Sequence, residues 1–504
     1  IHPTMMRARP HVPSAEEKEL RKVAEAQPFP RRRKGTNRGG KNGPSAMSIG
    51  FGGVVLLILL IVWISSFSNV IMHSNELFQS DKVSHEIHVP NSPAEFAQSH
   101  NKARQLKKEK SLEASSIDSI VDTLMGLADM PSSELQHVLE GGEDTEEELR
   151  QKNPFHLEEL QEGKCPWAEG TQLSWLPPQK SLEAPHLYQS ELQAKQLRKK
   201  NTGPVAAVYY EHLSKAGGTS FCKLAQANMA RRLVPNYYCM PSKPNEPDAR
   251  VGAWPIEELK EYFQTKTHRL VSNEWEPFNL KYMEVFDEAA DPDLQLVFVT
   301  SLRHPVNRLM SAHKFWGILH NPAKVKPTIE QWITRYAQRA KTWKLMNQDF
   351  TANVGRFEFA TWKFSGGSLP MPESNLHAER YLRSTDDTPD PALLQPKEDW
   401  KEPFETAIRT LSRFDLVIIM EELSKHPQPV TKILGWNDFS QAHVVPSGKV
   451  MNNKASSELA SHEYDLLWQA NALDMILYYW SLAVYLTRLH CADLLPADAD
   501  TSII

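Results

Sequence analysis

Residues 208–224 (VYYEHLSKAGGTSFCKL) join an apolar, strand-like run to a glycine turn that opens into a helical pattern. Adjacent glycines let the backbone approach a ligand closely, and the free N–H groups at a helix start favour negative charge. A lysine adds a positive charge, and two hydroxyl groups add further donors. The segment therefore predicts an anion cradle, made of Lys215, Ala216, Gly217, Gly218, Thr219 and Ser220.

The order of residues in the anion cradle separates it from the phosphate-binding loop of nucleoside triphosphatases. In that loop, G-x-x-x-x-G-K-[ST], the lysine follows the glycines. Here Lys215 precedes Gly217 and Gly218. The spacing therefore argues against a kinase or a nucleotide hydrolase.

A second segment, residues 296–316 (LVFVTSLRHPVNRLMSAHKFW), puts an arginine at the end of another strand-like run. Ser311 follows Arg303 by eight residues, inside a helical pattern that begins near Pro305, where proline is tolerated. The carboxyl ends of parallel strands face one crevice. Arg303 and the anion cradle can therefore hold two phosphate-like groups of a single ligand.

Four apolar runs of strand length have to position these residues. They cover 205–212, 269–273, 294–301 and 414–420. Each run is almost continuously apolar, which is typical of parallel strands that helices cover on both faces. Helical patterns cover 219–232, 306–316 and 463–489. This alternation predicts an α/β fold built on a parallel sheet.

An uncharged apolar segment at residues 47–70 predicts a transmembrane anchor, since about 20 apolar residues cross a bilayer. The tail before it, 1–46, holds eleven Lys and Arg against four Glu. The positive-inside rule places this tail in the cytoplasm and the rest of the chain in the lumen. Residues 71–200 are polar and acidic and predict a luminal stem, in which 117–127 and 135–139 are weakly amphipathic. The main domain then covers 201–492, followed by a tail, 493–504.

Bulk composition excludes several classes of protein. With 504 residues, 40% hydrophobic residues and a net charge of −5, the chain is not a collagen, a disulfide miniprotein or a disordered chain, and no nucleic-acid partner is favoured. No C-x-x-C or H-E-x-x-H motif occurs, so no metal site is expected. In an oxidising lumen two disulfides can form in any of three connectivities. The four cysteines are Cys165, Cys222, Cys239 and Cys491.

The segments KAGGTS (215–220) and SLRHPVNRLMS (301–311) resemble the two motifs with which Golgi membrane sulfotransferases bind 3′-phosphoadenosine-5′-phosphosulfate (PAPS). The chain is most similar to the heparan sulfate 2-O/6-O-sulfotransferase-like group, and the resemblance covers about residues 205–490. It implies a P-loop-like three-layer α/β fold, with a central parallel sheet flanked by helices, preceded by a single transmembrane helix and a stem.

The resemblance also implies roles for the motif residues. Residues Lys215 to Ser220 bind the 5′-phosphosulfate, and Lys215 neutralises charge on the bridging oxygen as the sulfuryl group leaves. Arg303 and Ser311 bind the 3′-phosphate. Sulfuryl transfer resembles phosphoryl transfer in being a matter of positioning and charge stabilisation. The resemblance also implies that no metal is needed for this chemistry.

The general base departs from the pattern of the family. Uronyl and glucosaminyl members use a histidine after the second strand, whereas Glu274 stands at that place here. His268 precedes the strand, which places it at the opposite edge of the sheet. A carboxylate base occurs in the wider circle of the family, including tyrosylprotein sulfotransferases. We therefore expect Glu274 rather than His268 to act as the base.

The implied function is that of a type II Golgi membrane enzyme, with a luminal catalytic domain that transfers sulfate from PAPS to a hydroxyl of a glycan or proteoglycan. Two alternatives stay open: a protein-tyrosine sulfotransferase, and a non-catalytic membrane-tethered glycan-binding protein with the same fold. Basic residues in one variable segment suit an acidic polysaccharide. They are Lys324, Lys326, Arg335, Arg339, Lys341, Lys344 and Arg380.

Overall fold

The computed structural model describes parts of one compact unit, Pro93–Ile504. The described residues are 115–140, 152–155, 165–169, 173–178, 205–236, 238–242, 251–274, 276–288, 294–315, 356–369, 399–440 and 459–491. The predicted tail (1–46), anchor (47–70), C-terminal tail (493–504) and basic segment (324–380, apart from 356–369) lie outside them. Within these ranges no helix has the length and apolar character needed to cross a bilayer.

Four parallel strands form the sheet: β1 (Val205–Glu211), β2 (Leu270–Asn273), β3 (Leu294–Leu302) and β4 (Leu416–Ile419). Their spatial order is β2-β1-β3-β4, so the chain moves to one side of β1 for β2 and to the other side for β3. Each strand lies within two residues of its predicted bounds. The predicted α/β class with a central parallel sheet is confirmed.

Helices precede, separate and follow these strands. Before β1 lie α1 (115–128), α2 (Ser132–Glu140) and α3 (Pro166–Glu169). Between β1 and β3 lie α4 (Gly218–Asn228), α5 (Ile256–Thr265) and α6 (Leu280–Met283). Between β3 and β4 lie α7 (Pro305–Ala312), α8 (Phe359–Phe364) and α9 (Lys401–Leu411). After β4 come α10 (Gln428–Leu434), α11 (Ser461–Gln469) and α12 (Ala472–His490).

The two faces of the sheet are buried in different hydrophobic clusters. Tyr209 of β1 and Phe298 of β3 belong to a cluster that also contains the apolar residues of α12. The next residues along these strands, Tyr210 and Val299, point the other way and belong to a cluster with α4 and α10. Because side chains alternate along a strand, strands covered on both faces must be apolar throughout.

The helices α1 and α2 coincide with the two amphipathic stretches that the sequence indicates in the predicted stem. Their apolar residues are buried in the same cluster as β1 and β3; Ile120 and Leu124 are fully buried and Leu135 is 1% exposed. Phe155 and Trp175 lie in that cluster as well. The hydrophobic core therefore extends well before residue 201, where the sequence had placed the start of the domain.

One disulfide connects residues far apart in the chain, and the other connects residues 17 positions apart. Cys165 is bonded to Cys491, immediately after α12, and Cys222 on α4 is bonded to Cys239. The carbonyl of Cys239 accepts the N–H of Ser272 at 2.9 Å, so its segment runs along the outer edge of β2. The second disulfide therefore ties the helix after the anion cradle to the strand that precedes Glu274.

The sequence predicts one helix over 463–489, and this prediction is wrong: the structure has two, α11 and α12, which separate at Asn471. The side-chain amide of Asn471 donates to the carbonyl of Leu467 at 2.6 Å and accepts the N–H of Glu358 at 3.2 Å. A polar side chain that bonds nearby backbone groups competes with helix continuation. The apolar period continues across this break, which is why the sequence conceals it.

Two buried carboxylates cap each other's helices. Glu358 accepts the N–H groups of Leu473 (3.1 Å) and Asp474 (2.8 Å) at the start of α12. Asp474 accepts those of Ala360 (2.9 Å) and Thr361 (2.8 Å) in the first turn of α8. Burial raises the pKa of both carboxyl groups. The unpaired donors at each helix start are thereby satisfied by an acid from the other helix.

Candidate active site

The anion cradle follows β1 as a tight turn and leads directly into α4. Its backbone passes through two left-handed positions, Lys215 with a φ of 70° and Gly217 with a φ of 93°. A positive φ is uncommon for lysine. Hydrogen bonds of Ala216 hold the turn: its N–H donates to Leu213, and its carbonyl accepts from the hydroxyl of Ser301 on β3.

The helix α4 starts at Gly218, and the described residues supply no side-chain cap for its first turn. Uncapped N–H groups at a helix start favour an anion. Ser220 is buried in this turn and Thr219 is exposed. The hydroxyl of Thr219 is therefore accessible to a ligand that lies on the helix start.

Both glycines lie directly against side chains of neighbouring elements. A Cβ on Gly217 would lie 2.1 Å from Sδ of Met420, which follows β4, and its φ disfavours other residues. A Cβ on Gly218 would lie 1.9 Å from Nε2 of His212. The side chains of Met420 and His212 thus press against the cradle, and larger residues at 217 or 218 would displace them.

Arg303, directly after β3, reaches the anion cradle. Its Nη1 donates to the carbonyl of Lys215 at 3.4 Å, and its Nε lies 3.9 Å from Oε1 of Glu421. This Nε is buried and makes no hydrogen bond to the described residues. The strands β1 and β3 adjoin where the chain reverses its direction across the sheet, which is where open α/β sheets bind ligands. The fold brings the two motifs together at this point.

The ammonium group of Lys215 lies over the ring of Phe315, 3.7 Å from its centroid. Burial lowers the pKa of Lys215, the charge of Arg303 lowers it too, and Glu274 raises it. A positive charge over an aromatic face is attracted to the ring, and among the described residues no carboxylate forms an ion pair with Lys215. Lys215 therefore stands ready to pair with a ligand anion.

Glu274 follows β2 and lies beside the anion cradle. Its Oε2 is 3.6 Å from Nδ1 of His212, the residue that follows β1, and the two side chains are 14% and 8% exposed. The N–H of His212 donates to the carbonyl of Asn273 at 3.0 Å, which fixes the two strand ends side by side. The structure thus pairs the candidate base with a histidine.

A buried ionic network supports these strand ends. The side chains of Glu211 and Lys363 form an ion pair, and the amide of Asn273 donates to both carboxylate oxygens of Glu211 at 3.0 Å. Lys363, on α8, also donates to the carbonyl of Glu274 at 3.3 Å. Burial raises the pKa of Glu211, and Lys363 opposes this rise. The network holds the backbone from which Glu274 and His212 extend.

Two further predicted site residues form no hydrogen bond or ion pair with the described residues of this cluster. Ser311 is half-buried on α7, two turns after Arg303, and the described residues offer its hydroxyl no hydrogen-bond partner. His268 precedes β2 and bonds the hydroxyl of Tyr262. Because β2 is parallel to β1, His268 lies at the opposite edge of the sheet from Lys215 and Glu274. Burial, together with nearby Lys266 and Arg269, lowers the pKa of His268.

The sequence did not single out His212 or Lys363 as site residues. For His212 a signal exists, since two polar residues, Glu211 and His212, end an otherwise apolar strand just before the cradle. For Lys363 no local signal exists, because only the tertiary fold brings α8 to the end of β1. Within the described residues, no three His, Cys, Asp or Glu side chains are arranged to hold a metal ion.

No protein-family model, no curated protein and no solved structure matches the chain. The functional interpretation therefore rests on the residues of the site.

Proposed function

We propose that the chain is a sulfotransferase that takes the sulfuryl group from PAPS and transfers it to a hydroxyl of a glycan. The observation that carries the proposal is the contact between Arg303 and the carbonyl of Lys215. It puts the cation of the second motif beside the anion cradle of the first. A nucleotide with phosphates at both its 3′ and 5′ positions requires two such anion sites at one crevice.

The groups of the site suit a nucleotide that carries two separate anionic groups, one at each end of its ribose. Within the part of the chain that the structure describes, the start of α4 has no side-chain cap, Nε of Arg303 is buried without a hydrogen bond, and Lys215 lies over an aromatic ring without an ion pair. A guanidinium group binds a phosphate with two parallel hydrogen bonds, and a lysine binds it as a point charge. In this proposal the cradle holds the 5′-phosphosulfate, and Arg303 and Ser311 hold the 3′-phosphate.

The remaining roles follow from charge and position. Bound PAPS supplies a sulfuryl group on a good leaving group. Lys215 stabilises the negative charge that grows on the leaving oxygen, and Glu274 accepts the proton of the acceptor hydroxyl. Burial lowers the pKa of Lys215, and the negative charge of Glu274 opposes this change. The proposed base and the lysine that stabilises the leaving oxygen follow the carboxyl ends of two neighbouring parallel strands, which suits a concerted displacement.

The cellular setting is part of the same proposal. Two disulfides suit an oxidising lumen. The anchor at 47–70 would hold the domain on the luminal side of the Golgi membrane in a single-pass type II orientation. The basic segment around Lys324 to Lys344 suits an acidic glycan or proteoglycan acceptor.

Nucleotide binding is the direct test. The thermal unfolding midpoint of the full-length chain in detergent is measured with 3′-phosphoadenosine-5′-phosphate and with ATP. Ligand at 100 times its Kd adds about 2.7 kcal/mol of stability, which raises the midpoint by roughly 3 °C for a domain of this size. We expect this rise with the 3′-phosphorylated nucleotide only, and its loss in Lys215→Ala and Arg303→Ala. The exposed Arg231→Ala serves as the matched control.

Acceptor assays then separate the enzyme from its alternatives. Transfer from PAPS is measured with desulfated glycosaminoglycans and with a tyrosine-containing acidic peptide. Transfer to a glycan supports the proposal, and transfer to the peptide alone identifies a protein-tyrosine sulfotransferase. Nucleotide binding without transfer to either identifies a non-catalytic binding protein, and absence of a thermal shift refutes the nucleotide site itself.

A further inference from the structure

The imidazole of His212 is wedged between Glu274 and the start of α4. Its Nδ1 lies 3.6 Å from Oε2 of Glu274. Its Nε2 edge rests on Gly218, where an added Cβ would come within 1.9 Å. The ring also stacks on that of Tyr210, with centroids 5.8 Å apart. These three contacts fix one orientation of the ring.

The surroundings also fix the position of the imidazole proton. Burial lowers the pKa of His212; the charges of Lys363 and Lys215 lower it as well, while Glu274 raises it. The ring is therefore neutral at neutral pH and carries a single proton. Nε2 lies against Gly218, the first residue of α4, and the positive charge at a helix start favours a lone pair on a neighbouring nitrogen. The carboxylate of Glu274, 3.6 Å from Nδ1, therefore favours the tautomer that carries its proton on Nδ1.

We infer that His212 is a positioning residue: its Nδ1–H holds one oxygen of Glu274 and directs the other oxygen to the acceptor hydroxyl. The inference rests on the proposed sulfotransferase function and names the group that prepares its base. The Nδ1–Oε2 distance is about 0.6 Å longer than a normal N–H···O bond. Catalytic hydrogen bonds are often this long without substrate and shorten when it binds.

The same contacts argue against His212 as the base itself. Its Nε2 is covered by the backbone of Gly218, and its Nδ1 carries the proton. Glu274, by contrast, is the more exposed of the pair, and its Oε1 makes no hydrogen bond to the described residues. A carboxylate held by one oxygen and open at the other is arranged as a base that a second residue orients.

Two side chains of nearly matched size separate a positioning role from packing. The amide nitrogen of asparagine is separated from Cα by the same number of bonds as Nδ1 of histidine. The amide nitrogen of glutamine is separated from Cα by the same number of bonds as Nε2 of histidine. His212→Asn therefore keeps the donor toward Glu274, whereas His212→Gln moves it toward Gly218. The control His462→Asn changes an exposed histidine on α11.

The experiment measures kcat and KM of the full-length variants from the release of 3′-phosphoadenosine-5′-phosphate, with PAPS and a desulfated glycosaminoglycan. We expect His212→Gln and Glu274→Gln to lower kcat about 100-fold and to change the KM for PAPS less than about threefold. His212→Asn should stay within about tenfold of the wild type. The double variant His212→Gln/Glu274→Gln should be no slower than Glu274→Gln, because a positioning residue acts only through its partner.

Equal losses in His212→Asn and His212→Gln would overturn the inference, since they would indicate either a base or a packing residue. An unchanged kcat in His212→Gln would overturn it too. If His212→Gln does not unfold cooperatively, the variant Glu274→Asp is measured instead. The shorter aspartate side chain moves the carboxylate away from Nδ1 of His212. If the wild-type chain turns over no PAPS, both the proposed function and this role of His212 are refuted. If the wild type turns over PAPS and the variants at position 212 have the same kcat, only the role of His212 is refuted.

Discussion

Nζ of Lys363 lies 2.6 Å from Oε1 of Glu211, and both side chains are completely buried. The pair joins α8 to the end of β1, and its Asn273 partner joins both to β2. A buried ion pair contributes little net stability, but the loss of one partner leaves an uncompensated charge. Its value here is that it fixes the strand ends that carry His212 and Glu274.

The variant Lys363→Met should lower the free energy of unfolding by about 3–5 kcal/mol, because Glu211 is left buried without its cation. The double variant Lys363→Met/Glu211→Leu should recover most of this loss, because no buried charge is left behind. Chemical denaturation measures both. Asp129→Asn is the control: it removes an exposed ion pair with Lys401 and should change stability by less than about 1 kcal/mol. A double variant as unstable as the single one would contradict the argument.

Alanine at the two cradle glycines should be destabilising for different reasons. Gly217→Ala meets a positive φ and Met420, and Gly218→Ala meets the ring of His212. We expect each to lower unfolding free energy by about 1–3 kcal/mol, and Gly218→Ala to lower kcat as well. Gly126→Ala on α1 has open space around its Cβ and should instead stabilise the chain by roughly 1 kcal/mol. Thermal unfolding of the three variants checks these signs.

The contact between Glu140 and His304 predicts an acid-sensitive attachment of α2. Oε1 of Glu140 lies 3.5 Å from Nε2 of His304 and accepts the hydroxyl of Tyr464 at 2.6 Å. Burial raises the pKa of Glu140, but hydrogen bonds from His304 and Tyr464 outweigh it and leave the pKa below its ordinary 4.5. A carboxylate with a lowered pKa stabilises the folded state above the unfolded value and stops doing so as the pH falls through the folded value.

Unfolding free energy of the wild type and of Glu140→Gln should therefore differ most above pH 4.5, with the wild type more stable. The difference should shrink as the solution becomes more acidic. Denaturation at a series of pH values measures it. A difference that grows toward low pH would show that Glu140 is not stabilised as an anion in the fold.

Removal of the residues before 200 should abolish folding. The deletion exposes the surfaces against which Ile120, Leu124, Leu135, Phe155 and Trp175 pack, and it breaks the Cys165–Cys491 disulfide. Each buried side chain contributes about 1.5–3 kcal/mol, so their sum reaches the whole net stability of a typical domain.

A chain that starts at residue 93 keeps this core and should unfold cooperatively. Cys165→Ser in the full-length chain separates the effect of the disulfide, with an expected loss of about 2–5 kcal/mol. Circular dichroism during heating distinguishes the three proteins. Cooperative unfolding of residues 200–504 would mean that α1 and α2 are dispensable.

The strands were predictable because Leu294–Leu302 and its neighbours are apolar on both faces, and burial on both faces leaves that mark in any sequence. Arg303 contacts the anion cradle because β1 and β3 are neighbours in the sheet. In the sequence, only the two motifs indicate that these strands are neighbours. The break at Asn471 and the role of Lys363 could not be predicted. Each depends on partners far away in the chain, Glu358 and Glu211, to which no local pattern points.

The reciprocal capping of Glu358 and Asp474 sets an order of events during synthesis. More than one hundred residues separate the two carboxylates, yet α8 needs Asp474 for its first turn and α12 needs Glu358 for its own. Because Glu358 is synthesised first, the start of α8 stays incomplete until Asp474 on α12 has emerged. Since α8 carries Lys363, the support beneath His212 and Glu274 has to wait as well. When the nascent chain has emerged as far as β4, every residue of the anion cradle has been synthesised. The site is still incomplete at that point, because α12 has not emerged.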